Sequence, residues 1–474
     1  MKLKNIIAGC IMGGSLFTAC KKSDLFKAPE NAIPADAAYS TPDRIEKASV
    51  GMYDALQNLN YFGGRVLIYA DIRGLDAIPN TFFGQMGFYS TTNSSDATVG
   101  TAWQGAYRTI YQANLFLKGF TPKASTVPQA KADQYTGEAK FIRALCNFYL
   151  VNLWAQSYNF TADASHPGVP LVLKIEDDPF STANNLPRAT VKQVYDQIEA
   201  DLLEAQAKLP DNPGDAFTKV ARATKGAAAA LLSRLYLYKG DWTKANQFAD
   251  QVIASAAGYG LNANNPIAAF RAPYTSKESI FSVAMNGSDN PNTNNALGQH
   301  YSPRGRGDIS ISLDYLKLMD TTVDLRYRAK SGDSLVERTS SGAYWTRKYS
   351  GLTTDFVPVL RYAEILLIKA EALARLSATV DATAVGLVNQ IRSRSNASVI
   401  APATQQDLID AIIKERRIEL SFEGQGSLEF QRNKMDIPAH STVPVQAWGS
   451  NYRVLPIPKY DTDKNPNLKQ NNGY

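Results

Sequence analysis

The chain has 474 residues, long enough to bury a large core, with 44% hydrophobic and 20% charged residues. Its formal charge of +6 comes from 50 Lys and Arg interspersed with 44 Asp and Glu, with no polybasic block of the kind that binds nucleic acid or a charged membrane surface. Three cysteines exclude a disulfide framework, and His166, His300 and His440 are too far apart in sequence to supply ligands at helical spacing, so no metal is expected.

Residues 1–20 read as a lipoprotein leader. Lys2 and Lys4 precede an uncharged stretch of about 12 residues, too short to span the ~30 Å hydrocarbon core. Thr18 and Ala19 then stand directly before Cys20, the position of an acylated cysteine. Cleavage there removes residues 1–19 and two lysines, which takes the formal charge from +6 to +4. With no second apolar run of membrane-spanning length, a lipid on Cys20 is the expected anchor, palmitate among its acyl groups. Cys10 leaves with the leader, and Cys146, between Leu145 and Phe148, reads as a small buried residue. Residues 20–45 contain Pro29, Pro34 and Pro42 and suit an extended tether.

Helical periodicity dominates residues 46–474. Ile45, Ala48, Met52, Ala55 and Leu59 share one face of a helix over 44–59. Ala106, Ile110, Asn114 and Leu117 do the same over 103–117, as do Phe141, Leu145, Phe148 and Val151 over 138–154. Thr190 caps a helix that runs to Leu209 before Pro210. The segment Ala227-Ala-Ala-Ala-Leu-Leu-Ser-Arg-Leu-Tyr-Leu-Tyr-Lys-Gly240 leads into Asp241-Trp-Thr-Lys-Ala, the helix, glycine turn, aromatic and helix of a tetratricopeptide unit. A second unit is expected over 362–374 and 384–394. The fold class is therefore all-α, built of tetratricopeptide-like repeats with long loop insertions at 61–100, 257–312 and 330–358, where periodicity fails. Aromatics and amides in those insertions are suited to sugars, because an apolar pyranose face stacks on a ring while Asn, Asp and Arg bond the hydroxyls.

The C-terminal third carries two distinctive phrases, Ile412-Ile-Lys-Glu-Arg-Arg-Ile-Glu-Leu-Ser-Phe-Glu-Gly424 and the ending from Arg453-Val-Leu-Pro-Ile-Pro to Tyr474. With Leu360-Arg-Tyr-Ala-Glu-Ile-Leu-Leu-Ile-Lys-Ala-Glu-Ala-Leu373, Asp324-Leu-Arg326, Gly168-Val-Pro-Leu171, the 137–145 helix and Trp103-Gln-Gly-Ala-Tyr-Arg, they make the chain resemble the SusD/RagB family of outer-membrane lipoproteins. The resemblance spans essentially the whole mature chain. It implies a non-catalytic, cell-surface lipoprotein of the outer membrane that captures a glycan or other nutrient and passes it to a SusC-like TonB-dependent transporter, with no cofactor. Family members usually continue after Glu-Gly with His-Arg-aromatic-aromatic-Asp-Leu. Here Gln425-Gly-Ser-Leu-Glu-Phe430 takes those places, keeping an acid at Glu429 and a base at Arg432, and the segment reads as structural.

Ranked by loop position and chemistry, the expected ligand-binding residues are Arg73, Phe88, Tyr89, Asn93, Tyr301 and Trp345. Two other functions compete. Glu415, Glu419 and Glu423 recur every four residues and would share a helix face, but a row interleaved with Lys414, Arg416 and Arg417 fits ion-pair patterning better than the separately tuned acids of a glycoside hydrolase. A structural or peptide-binding partner of a surface complex is the second, since tetratricopeptide faces bind peptides. The Arg304-Gly-Arg-Gly-Asp308 sequence reads as a chance motif. Asp76, Asp96, Asp461 and Asp463 lack the ligand order of a calcium loop.

Overall fold

A computed structural model describes residues 37–178, 180–263, 265–327 and 334–474. The expected leader, the acylation site Cys20 and most of the expected tether lie outside the described residues. The tether expected to reach residue 45 ends sooner, because helix α1 (Pro42–Leu56) begins inside it: Thr41 accepts the Arg44 N–H as N-cap and Pro42 occupies the first helical position.

The remaining long helices are α2 (Arg65–Ile72), α3 (Ala97–Phe120), α4 (Gln129–Trp154), α5 (Val191–Lys208), α6 (Lys225–Lys239), α7 (Trp242–Ile253), α8 (Tyr362–Leu376), α9 (Ala382–Arg394) and α10 (Gln405–Leu420), followed by the short α11 (Gly426–Arg432). They pack in succession, α1 on α3, α3 on α4, α4 on α5, α5 on α6, α6 on α7 and α7 on α8, with α9 and α10 both laid against α8. The expected repeats are present with longer helices than the periodic cores alone suggest. Helix α4 is at the centre, and every residue from Phe141 to Trp154 is buried. A helix enclosed on all sides must satisfy its polar groups internally. Arg143 accordingly makes paired bonds to Asp201 on α5 at 2.6 and 2.7 Å, and Asn152 accepts the Tyr195 hydroxyl. Cys146 is fully buried and its thiol is pushed up by desolvation, as a packing residue would be.

The first repeat behaves as its sequence implies. Alanines 227–230 are buried where α6 meets its neighbours, and Gly240 ends the helix in the left-handed region at φ 74°. Asp241 then caps α7 through the Lys244 N–H, and Trp242 packs at the turn beneath the Arg375 guanidinium, 4.8 Å from its ring. Thr190 and Gln193 form a reciprocal capping box on α5.

The insertions are partly ordered by three antiparallel strand pairs: β1 (Ala77–Pro79) with β3 (Ile309–Ile311), β2 (Ser279–Val283) with β6 (Val357–Arg361), and β4 (Val336–Arg338) with β5 (Tyr344–Thr346). Helix α2 also falls inside the 61–100 insertion. It has almost no polar face, and Val66 to Ile72 are all buried, so it lacks the alternation that marks an amphipathic helix.

The glutamate row has a different setting from the one its spacing suggests. Helix α10 stops at Leu420, so Glu423 lies in the turn after it. All three acids are buried and take cations from distant segments: Glu415 binds Arg326 and Arg392, Glu419 binds Arg326, Arg361 and Arg394, and Glu423 binds Lys348 and Arg361. A second buried set joins Arg416, Glu429, Arg432 and Glu371. The Gln425–Phe430 segment is structural, as expected: a methyl on Gly426 would come within 2.9 Å of the Asp71 backbone, whose side chain accepts the Gly424 and Gly426 N–H groups.

Candidate ligand-binding surface

Strand register assembles a surface from two insertions. Pro79 on β1 pairs with Ile309 on β3, and the Asn80 N–H donates to the Asp308 carbonyl at 2.8 Å. This sets the turn after β1 beside the 304–308 loop. Phe82, at that turn, remains 44% exposed, a large aromatic facing solvent. Arginines from two directions approach it, Arg306 with its guanidinium carbon 4.5 Å from the ring centroid and Arg65 at 5.4 Å. Both distances are those of cation–π contacts.

Asp308 holds the polar side of this cluster together. Its carboxylate accepts from Arg306 Nε at 2.7 Å, Asn80 Nδ2 at 2.8 Å and His300 Nδ1 at 2.8 Å. Burial alone would raise its pKa, but the hydrogen bonds from His300, Arg306 and Asn80 outweigh it and hold the carboxyl at about 2. An ionised carboxylate only accepts, so His300 Nδ1 carries the proton. Burial, with the nearby Arg65 and Arg306 charges, lowers the His300 pKa below its ordinary value against the raising effect of Asp308. Its ring lies 5.4 Å from Phe82 and 4.8 Å from Phe83. Arg306 also donates to Asn294 Oδ1 at 2.9 Å, and Arg65 donates to Asn60 and to the Asn294 carbonyl.

The second wall is the β4–β5 hairpin, whose strand β5 packs against β3. Trp345 on β5 is half-buried and covers Gly307, where a methyl would lie 3.2 Å from the indole. Gly307 has φ +60°, so both the turn and the close approach of Trp345 favour glycine there. Tyr344 precedes Trp345 on the strand and faces the other side of the hairpin, where Arg338 lies over its ring at 5.6 Å. An exposed ring bordered by guanidinium and amide groups supplies apolar contact and hydrogen-bond donors and acceptors together, the chemistry that recognises a sugar chain.

Only Trp345 of the six expected residues lines this surface. Tyr301 is wholly buried, stacked on Tyr349 at 5.3 Å, and its hydroxyl donates to Asp71 at 2.7 Å. Arg73 and Tyr89 are also buried, with the guanidinium 4.3 Å from the tyrosine ring, Arg73 donating to the Met86 carbonyl and the Tyr89 hydroxyl to the Arg73 carbonyl. These three are corrected from ligand contacts to packing residues, because a sugar has no surface to touch on them. Phe88 is half-buried against the small cluster of Leu75, Tyr89, Phe430, Ile437 and Val443. Asn93 is exposed and accepts the Ser95 N–H in a local turn. Phe82, Arg306 and Asp308 were missed. Two of them sit in the Arg304-Gly-Arg-Gly-Asp308 sequence read as chance, where one-residue spacing lets Arg306 fold back onto Asp308. Of the acids weighed for calcium, Asp76 binds Arg417 and Ser421, and Asp96 caps α3.

Comparison with known proteins places the chain. Residues 25–237 match the family described as "Starch-binding associating with outer membrane", and residues 282–474 match the SusD family. A SusD-like protein of Formosa agariphila, P2, is 27% identical, with 97% of this chain and 98% of that protein aligned. A SusD superfamily structure from Bacteroides fragilis superposes with a TM-score of 0.78 at 29% identity, covering 91% of this chain and 99% of its own. One from Bacteroides vulgatus gives 0.80 at 26% identity, covering 92% and 99%. The two matched regions follow one another along the chain and the superpositions include both, so the chain belongs to the SusD/RagB family of carbohydrate-binding, outer-membrane-associated proteins.

Proposed function

We propose that this protein is a lipid-anchored receptor on the bacterial cell surface that captures an oligosaccharide and passes it to a SusC-like TonB-dependent transporter, without breaking a bond. The observation that carries the reading is Phe82, an exposed aromatic held between Arg65 and Arg306 with Asn80 and Asn294 beside it. The starch-binding description of the matched family supports a glycan as ligand. The buried ion pairing of Glu415, Glu419 and Glu423 argues against their use as hydrolytic acids, because acids locked to arginines deep in the fold meet no substrate.

Affinity electrophoresis of the mature chain through gels containing plant, host and microbial polysaccharides tests the capture step. Retardation by a glycan class, lost in Phe82→Ala, is the expected result; migration unchanged in every gel contradicts it. Anchoring is tested separately by Cys20→Ser, which is expected to move the protein from the membrane fraction to the soluble fraction and to abolish labelling with a palmitate analogue. Membrane recovery unaffected by that substitution would refute the lipid anchor.

A further inference from the structure

The surface around Phe82 carries an imbalance of charge that a neutral sugar does not need. Four arginines border it or the Trp345 face of the adjoining hairpin: Arg65, Arg304, Arg306 and Arg347. Among the described residues only two carboxylates, Asp308 and Glu337, pair with them. Asp308 takes Arg306, and Glu337 takes both Arg304 at 2.6 Å and Arg347 at 3.8 Å. Arg65 has no acidic partner among the described residues. It donates to neutral acceptors, the Asn60 side chain and the Asn294 carbonyl, and its Nε is buried without a partner, so its charge has no counter-charge.

The arrangement is also interleaved with rings. Phe82 has Arg65 and Arg306 over it, and Trp345 packs on Gly307, next to Arg306. The Arg304 side chain is 57% exposed with both terminal nitrogens on Glu337, and that of Arg306 is 29% exposed with Nε on Asp308 and Nη1 on Asn294. A guanidinium edge matches a carboxylate or sulfate in a planar, two-point hydrogen bond. The aromatic faces supply contact for the carbon skeleton of a sugar ring.

We infer that the ligand of this surface is an anionic glycan, one whose sugar units carry carboxylate or sulfate groups, with Phe82 and Trp345 contacting the rings and Arg65, Arg304 and Arg306 reading the charges. The inference rests on the proposed capture function and narrows its substrate class. Its two sources of negative charge are separable by experiment.

The test uses the mature chain and matched polysaccharide pairs in affinity gels and calorimetry. Polygalacturonate is compared with its methyl ester, and dextran sulfate with dextran. The expected result is retardation by a charged member and none by its neutral counterpart, weakening as salt rises from 50 to 500 mM because screening shortens the reach of the arginines. Preference for polygalacturonate over dextran sulfate assigns the carboxylate, and the reverse assigns the sulfate. Arg65→Gln with Arg306→Gln is expected to lower affinity at least tenfold. Arg304→Gln, at a solvent-exposed position, is expected to lower it severalfold with an unchanged melting temperature, which guards against loss of fold in the first pair. Binding of a neutral member as tightly as its charged one overturns the inference and leaves glycan capture standing. Equal retention of polyglutamate or single-stranded DNA also overturns it, by showing a surface that takes any polyanion. Retention of no polysaccharide removes the capture function and this inference with it.

Discussion

Burial separates two aromatic side chains of similar chemistry. Phe82 keeps nearly half its surface in water, whereas Tyr301 has none there and spends its hydroxyl on Asp71. Asp71 is itself enclosed, and desolvation pushes its carboxyl up to about 7 against the hydrogen bonds from Tyr301, Gly424 and Gly426. Tyr301→Phe therefore removes a donor from a buried acid and is expected to cost about 1–3 kcal/mol in chemical denaturation while leaving glycan retention unchanged. Loss of retention without loss of stability would put Tyr301 back on the ligand surface. In the sequence the two rings look alike, since both stand in segments without periodicity. What separates them is the pairing of β1 with β3, a contact between residues more than 200 positions apart that local pattern does not encode. The same long-range pairing explains why Arg306 and Asp308 passed as a chance motif.

At the scale of elements, the helices were legible wherever one face was apolar and the ends carried caps. Thr190 with Gln193, and Asp241 after Gly240, are local signals and fixed the boundaries of α5, α6 and α7. Helix α2 escaped because burial on all sides erased its periodicity. The acids of α10 were legible as ion-pairing residues, but their partners were not: the neighbouring Lys414 and Arg417 are bypassed at Glu419 in favour of Arg326, Arg361 and Arg394. That difference sets the energetic scale. Glu419→Gln leaves three buried guanidinium groups short of a counter-charge and is expected to destabilise by about 3–5 kcal/mol. Lys47→Ala, which removes an exposed pair with Asp43, is expected to change stability by no more than about 0.5 kcal/mol. Comparable small losses from the two substitutions, measured by urea unfolding, would mean the buried lattice is not a stabilising unit.

For the whole molecule, these buried carboxylates make stability depend on pH in a defined direction. Burial would raise Glu429, but Arg416 and Arg432 outweigh it and hold the acid at about 2, below its unfolded value near 4.3. A depressed acid contributes stability that is present above the unfolded value and is lost as pH falls through the folded one. The melting temperature is thus expected to fall steeply between about pH 4.5 and 2, and the gap between the wild type and Glu429→Gln is expected to narrow over that interval. A gap that stays constant with pH would show that Glu429 is not ionised in the fold. Asp308 obeys the same sign, so the Phe82 cluster should keep its geometry through mildly acidic conditions.

The central claim is that Phe82 anchors a captured glycan, and calorimetry of the mature chain against the retained polysaccharide tests it most directly. Phe82→Ala should weaken binding by about 1–3 kcal/mol, roughly 5- to 150-fold, with its melting temperature unchanged. Affinity equal to that of the unsubstituted chain would place the ligand elsewhere on the molecule and remove the basis for reading this surface as the receptor site.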